Sequence, residues 1–230
     1  MSALERLAGG LIVSCQAPTG SPFRDSFVMT RVAQAAIQGG AAGLRVNGPE
    51  DIAAIRPHTD RPIIGLHKTA GKNRNMITTT IEAAAGLLEA GADLVAIDST
   101  TEALGDSFVF LGKVRFELGC SVMADVSTVD EGLYAWDQGV DVVGTTLSGY
   151  TPYTQPAAED PDLELVHALA ERGVRVIAEG RYRTPSQLKD AFDAGAYAVV
   201  VGGAITDPLA NTIRFAAQAP RAALTSPVVR

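Results

Sequence analysis

The chain has 230 residues, of which 47% are hydrophobic and 20% charged, and its formal net charge is −7. That length and composition suffice for one sizeable globular core, and the acidic balance excludes a nonspecific nucleic-acid binder, which needs a basic face. No stretch approaches the roughly 20 apolar residues of a membrane span, and the opening MSALERLAGG has no basic segment followed by a long apolar run. The expectation is a cytoplasmic protein without a signal peptide, free of membrane and nucleic acid.

After a short N-terminal helix, a first apolar strand runs from Gly10 to Gln16. A repeated unit then dominates, in which a helix ends at glycine and an apolar strand begins within a few residues. It appears at Ala36 to Val46, Leu87 to Ile97, Phe116 to Asp125, Ala135 to Thr146, Leu169 to Gly180 and Phe192 to Gly202. Glycine at a helix end takes the left-handed conformation that closes the last turn. With the run Pro62 to Lys68 this makes eight strands, alternating with eight helical segments, the last starting near Pro208. The strands are nearly continuous apolar runs, as in a parallel sheet buried on both faces. Eight such units predict an α/β fold, a TIM (β/α)8 barrel forming a single domain over residues 1–230, with a disordered tail from about 220. A doubly wound open sheet is the competing architecture.

Function in a barrel collects at the C-terminal ends of strands. There the sequence places Gln16, Arg45 with Asn47, Lys68, Asp98, Asp125, Thr146, Glu179 and Gly202. Strand alternation puts Lys68 on the face of Leu66 and Ile64, Glu179 on that of Ile177, and Asp125 on that of Met123. An ammonium among apolar strand residues loses hydration, which moves its pKa toward a range useful for proton transfer. Lys68 is therefore the candidate general base or acid, the alternative being a structural ion pair with Asp125 or Glu179. Arg45 can fork onto a carboxylate, a phosphate or an amide oxygen, while Asp125 and Gln16 suit sugar hydroxyls.

From Val174 to Thr206 the chain reads strand, glycine turn, helix, strand, glycine turn, with Thr184 as N-cap and Pro185 at the first helical position. Glycines Gly180, Gly202 and Gly203 expose amide groups suited to an anion, and the last loops of a barrel are the usual place for a phosphate. Cys15 and Cys120 match no metal spacing and no disulfide framework; no metal site is expected. His58 and His167 read as surface residues, and Trp136 as core or interface.

Taken together, GLIVSCQ, GLHK, MADVST, GTTLSGYT, AEGRYRTP and VVVGGAIT resemble the N-acetylmannosamine-6-phosphate 2-epimerase family. The resemblance runs from Gly10 to about Phe215. It implies interconversion of N-acetylmannosamine 6-phosphate and N-acetylglucosamine 6-phosphate in sialic acid catabolism, with no cofactor, by a homodimer. By matched motif it makes Lys68 and Glu179 the catalytic pair. It assigns Gln16, Arg45 and Asp125 to the sugar, and Gly180, Arg181, Gly202 and Gly203 to the phosphate.

The sequence departs from that pattern twice. Asp207 stands where the family usually carries an arginine, and Thr100 to Asp106 replaces an Arg-Pro-rich loop. Both changes remove positive charge, for which Arg181, Arg183 or Arg214 could compensate. Two alternatives are a lyase that uses Lys68 as a Schiff-base nucleophile and a non-catalytic phosphosugar-binding barrel.

Overall fold

Eight parallel strands close into a barrel in the computed structural model, which describes residues 1–105 and 109–220. Asp106 and the tail beyond Pro220 lie outside the described residues. The strands are β1 (Leu11–Cys15), β2 (Gly43–Asn47), β3 (Ile63–Leu66), β6 (Leu94–Asp98), β7 (Ser121–Asp125), β8 (Val142–Gly144), β9 (Val176–Glu179) and β10 (Ala198–Val201). They follow one another round the ring in chain order, and β10 pairs with β1 to close it. Between β3 and β6 lies an antiparallel hairpin, β4 (Lys68–Ala70) with β5 (Asn75–Ile77).

The helices are α1 (Ser26–Gln38), α2 (Pro49–Ile55), α3 (Ile81–Glu89), α4 (Thr101–Leu104), α5 (Val109–Leu118), α6 (Val129–Asp137), α7 (Leu163–Ala170), α8 (Pro185–Asp193), α9 (Gly203–Thr206) and α10 (Pro208–Ala216). The expected N-terminal helix is one 3-10 turn, Glu5–Leu7, whose Leu7 is fully buried.

The repeated glycine of the sequence is the joint between helix and strand. Gly40, Gly91, Gly119, Gly139, Gly173 and Gly195 all have positive φ, between +60° and +108°, a conformation that side chains with a Cβ rarely adopt. Helix starts are equally local in origin. Thr184 accepts from Gln187 N–H, the Gln187 side chain returns to the Thr184 amide, and Pro185 follows the cap.

Two layers of core follow from strand alternation. Ile12, Ile64, Leu66, Met123, Ile177 and Val200 belong to the barrel interior, with Leu7 packed against them. Their neighbours in sequence, such as Val13, Leu44, Val46 and Val176, pack outward against the helices. Arg45 lies between Leu44 and Val46 and therefore faces inward. Cys15 and Cys120 are free thiols, and burial pushes the Cys15 thiol up to about 12. Trp136 packs on the outer core layer, while His167 lies exposed on α7 beside Glu171.

Candidate active site

A knot of charge crosses the C-terminal mouth of the barrel. Arg45, on β2 and 1% exposed, donates through Nη2 to Asp125 Oδ2 at 2.6 Å and through Nη1 to Asp125 Oδ1 at 3.0 Å. The same Nη1 reaches Glu179 Oε2 at 2.5 Å and Thr146 Oγ1 at 3.2 Å. Thr146 itself donates to Asp125 Oδ1 at 2.5 Å. Arg45 thus holds two carboxylates from β7 and β9: Asp125 takes both nitrogens of the fork and Glu179 shares Nη1. Room for this exists because residue 144 is glycine: a Cβ there would lie 2.3 Å from Met123 Cε and 2.8 Å from Asp125 Oδ1.

Electrostatics follow from this geometry. Burial alone would lower the Arg45 pKa, but Asp125 and Glu179 carry it above its usual value. Glu179 is 15% exposed, and loss of hydration raises its pKa; Arg45 pulls in the opposite direction and only partly offsets this. A carboxylate held in that balance can take and return a proton more easily than one in water.

Lys68 opens the hairpin on the opposite side of the ring, since β3 and β9 are four strands apart in either direction. It is not the tip of a barrel strand, as the alternation suggested, but the first residue of β4 after a break at His67. Its amide donates to Asn47 Oδ1 at 2.9 Å, so β2 fixes its backbone. The side chain stays open to solvent at the mouth, and among the described residues its ammonium has no hydrogen bond or ion pair. The structural ion pair weighed for it does not form, because Arg45 takes both Asp125 and Glu179. Although the side chain is exposed, neighbouring protein atoms take away part of its hydration and lower the Lys68 pKa; Arg45 lowers it further, while Glu179 and Asp125 act in the other direction. A cavity of about 330 Å³ opens beside Lys68, lined also by Asn47, Gly48, Asp51 and His67.

Gln16 follows β1 and donates to Ser14 Oγ at 2.8 Å, while its Oε1 is buried without a partner. Arg45 Nε is also unpartnered. Buried polar atoms left in this way are costly unless a ligand meets them.

At the ends of β9 and β10, Gly180 has φ +115° and Arg181 φ +63°, while Gly202 precedes α9. The amides of Gly180, Arg181, Gly202 and Gly203 meet no acceptor among the described residues. Thr206 Oγ1 donates to Ser14 O at 2.9 Å and ties this corner to β1. The Arg181 guanidinium does not face the glycines. It donates to Ser148 O at 2.6 Å and Asp160 O at 2.8 Å and lies over the Tyr150 ring. Asp207, the residue in place of an arginine, caps α10 by accepting from Ala210 N–H at 2.9 Å. Its carboxylate is thus committed to a helix start.

One constellation was not foreseen. Arg74, at the hairpin's far end, donates to both oxygens of buried Asp98, at 2.5 and 3.0 Å. It also donates to Thr100 Oγ1 at 2.8 Å and Glu102 Oε2 at 2.9 Å. Asp98 had been placed at its strand end; nothing in the polar run Gly71–Asn75 signalled its partner. Among the described residues no group of three or more His, Cys, Asp or Glu side chains is placed to hold a metal ion.

Comparison with known proteins gives a consistent family. The family model described as "Putative N-acetylmannosamine-6-phosphate epimerase" matches residues 29–220. A protein of Caldanaerobacter subterraneus subsp. tengcongensis named "Putative N-acetylmannosamine-6-phosphate 2-epimerase" is 45% identical over 94% of this chain and 93% of its own. A protein of the same name from Photobacterium profundum is 43% identical over 89% of this chain and 87% of its own. The solved N-acetylmannosamine-6-phosphate 2-epimerase from Clostridium perfringens superposes with a TM-score of 0.86 at 41% identity, covering 94% of this chain and 95% of that one.

Proposed function

The chain belongs to the N-acetylmannosamine-6-phosphate epimerase family, and from that premise we propose that it inverts C2 of N-acetylmannosamine 6-phosphate to give N-acetylglucosamine 6-phosphate in sialic acid catabolism. The observation that carries the reading is the opposed pair at the mouth. On one side stands Lys68, unpaired and with a lowered pKa; on the other stands Glu179, held by Arg45 with its pKa raised.

Inversion at C2 needs the open-chain aldehyde, because only a neighbouring carbonyl acidifies the C2 proton. One residue removes that proton, the electron pair moves into the enolate, and a proton returns to C2 on the opposite face. Residues from opposite sides of the ring can each serve one face. General acid–base catalysis of this kind contributes about 10²–10⁴ per group. Arg45 and Thr146 orient Glu179. Asp125, fully buried with both oxygens taken by Arg45 and Thr146, holds that arginine instead of reaching a sugar hydroxyl, which leaves Gln16, with its unpartnered Oε1, to hydrogen-bond the sugar. The amides of Gly180, Arg181, Gly202 and Gly203 receive the phosphate, and Arg181 contributes its backbone, since its guanidinium is engaged elsewhere. Neither a Schiff-base lyase nor a non-catalytic binder is favoured by the relatives above, which are named as epimerases.

The test is incubation with N-acetylmannosamine 6-phosphate in D₂O. Deuterium should enter C2 as the gluco epimer forms; finding neither label nor epimer refutes the activity.

A cytoplasmic location and a homodimer belong to the same proposal. A phosphorylated sugar is charged and does not cross a bilayer, so the enzyme acts where the phosphate is added. Among the described residues, no helix is long and apolar enough to cross a membrane. Helix α10 buries none of its residues and leaves Ile213 61% and Phe215 77% exposed; a second copy would cover them. A monomer mass in light scattering at micromolar concentration would remove the dimer.

A further inference from the structure

The hairpin β4–β5 begins with Lys68 and has a dedicated anchor at its other end. Two-stranded hairpins are marginal in water by themselves, and this one is outside the barrel ring. Lys68 pairs with Ile77 in its register. Ile77 N–H approaches Asp98 Oδ2 at 3.3 Å, and Arg74 grips both Asp98 oxygens from the turn. Glu102 completes the grip from α4, accepting from Arg74 Nε at 2.9 Å and from Asn73 Nδ2 at 2.8 Å. Arg74 is 10% exposed and Asp98 1%. A planar, bidentate fork fixes direction as well as distance. Asn47 holds the amide of Lys68 at the near end, so the hairpin is fastened at both ends.

We propose that Arg74, clamped on Asp98 and Glu102, is a positioning residue for proton transfer, setting where the Lys68 ammonium stands over the barrel mouth. Arg74 acts through the hairpin backbone. This rests on the reading of Lys68 as a residue that moves the C2 proton. Misplacing a reacting group by about 1 Å can cost about 10²-fold in rate, and a slack hairpin moves Lys68 by distances of that order.

The experiment compares Lys68→Ala, Arg74→Ala and Arg74→Lys with the unaltered protein in the epimerase assay, with melting temperatures alongside. Arg74→Ala should lower kcat about 10²-fold and leave KM within about threefold, since substrate contacts are untouched. Arg74→Lys keeps the charge without the fork and should recover part of kcat. If Arg74→Ala does not fold, Arg74→Lys reads the same quantity as a partial loss in kcat. The pH midpoint of kcat assigned to Lys68 should shift in the Arg74 variants, because a displaced ammonium changes its hydration and its distances from Arg45, Glu179 and Asp125 together.

A folded Arg74→Ala protein with unchanged kcat overturns the clamp. So does a rise in KM at constant kcat, which would make Arg74 a substrate contact, or a kcat loss with an unmoved pH midpoint. Full activity in Lys68→Ala instead sinks the reading of Lys68 itself; an inactive Lys68→Ala beside an unaffected Arg74→Ala sinks the clamp alone.

Discussion

Replacing Arg45 with methionine tests whether the guanidinium serves the ligand or the protein. As a sugar clamp alone, its loss would raise KM and leave stability nearly unchanged. The structure predicts a different result. Arg45→Met keeps the length of the stem but strands Asp125, which is fully buried, and frees Glu179 from its closest cation. Removing one partner of a buried ion pair costs about 3–5 kcal/mol, out of a total stability on the order of 5–15 kcal/mol. For a chain of this size each kcal/mol is worth about 2–4 °C, so the midpoint should fall by roughly 6–20 °C. The deficit should shrink on acidification. Without Arg45 the Glu179 pKa rises further above 4.5, and a neutral carboxyl costs less to bury. Thermal melts by circular dichroism between pH 5 and 8, paired with steady-state kinetics, separate the two ideas. A melting point within a degree or two of the parent, together with a change in KM only, would refute the reasoning.

Other expectations follow from single contacts. Glu179→Gln keeps shape and an acceptor for Arg45, so kcat should fall by about 10²–10⁴ while KM changes little; a loss confined to KM argues against proton transfer. Lys68→Ala should abolish turnover without lowering the melting point, because the ammonium has no ion pair to lose. The sign agrees: the Lys68 pKa in the fold lies below 10.5, so charging it opposes folding, and its stability contribution is lost as pH falls through the lowered value. The limb of the kcat–pH profile assigned to Lys68 should therefore have its midpoint below 10.5, and Lys68→Arg, whose guanidinium does not give up its proton, should lose turnover. Asp207→Ala should cost about 0.5–2 kcal/mol through loss of the α10 cap, visible as a lower melting point. Asp207→Arg should carry the same loss, with a lower KM only if its guanidinium reaches the phosphate.

Much of the barrel was legible because its signals are local. The glycines at 40, 91, 119, 139, 173 and 195 needed nothing beyond their own backbone to mark the joints, and Thr184-Pro185 announced α8. Alternation put Ile64 with Leu66, Met123 with Asp125 and Ile177 with Glu179, and these four apolar residues all belong to the barrel interior. Pairing was less accessible. Period-two patterning places Asp125 with Met123 and Glu179 with Ile177, but does not say which carboxylate receives the Arg45 fork or that both do. Hairpin β4–β5 was missed because Lys68 to Ile77 lacks an apolar alternation, and its hold on the barrel is the long-range contact from Arg74 to Asp98. Arg181 sits directly after Glu179-Gly180, yet its left-handed backbone and the carbonyls of Ser148 and Asp160 turn its side chain away from the glycines.

The strut from Arg45 to Asp125 and Glu179 also has a bearing on how the chain acquires its shape. Its members are separated by 80 and 134 residues, so none can meet by local folding, and such distant partners are the slowest to assemble. A nascent chain that has made β2 but not yet β9 carries a guanidinium with no second carboxylate to receive it. The barrel must curl nearly shut before the three charges neutralise one another. Assembly of this cluster is therefore late, close to ring closure, and on the proposed roles of its members intermediates short of it should be inactive as well as incomplete. Recovery of activity during refolding should track the last phase seen by tertiary probes, with no active species preceding it.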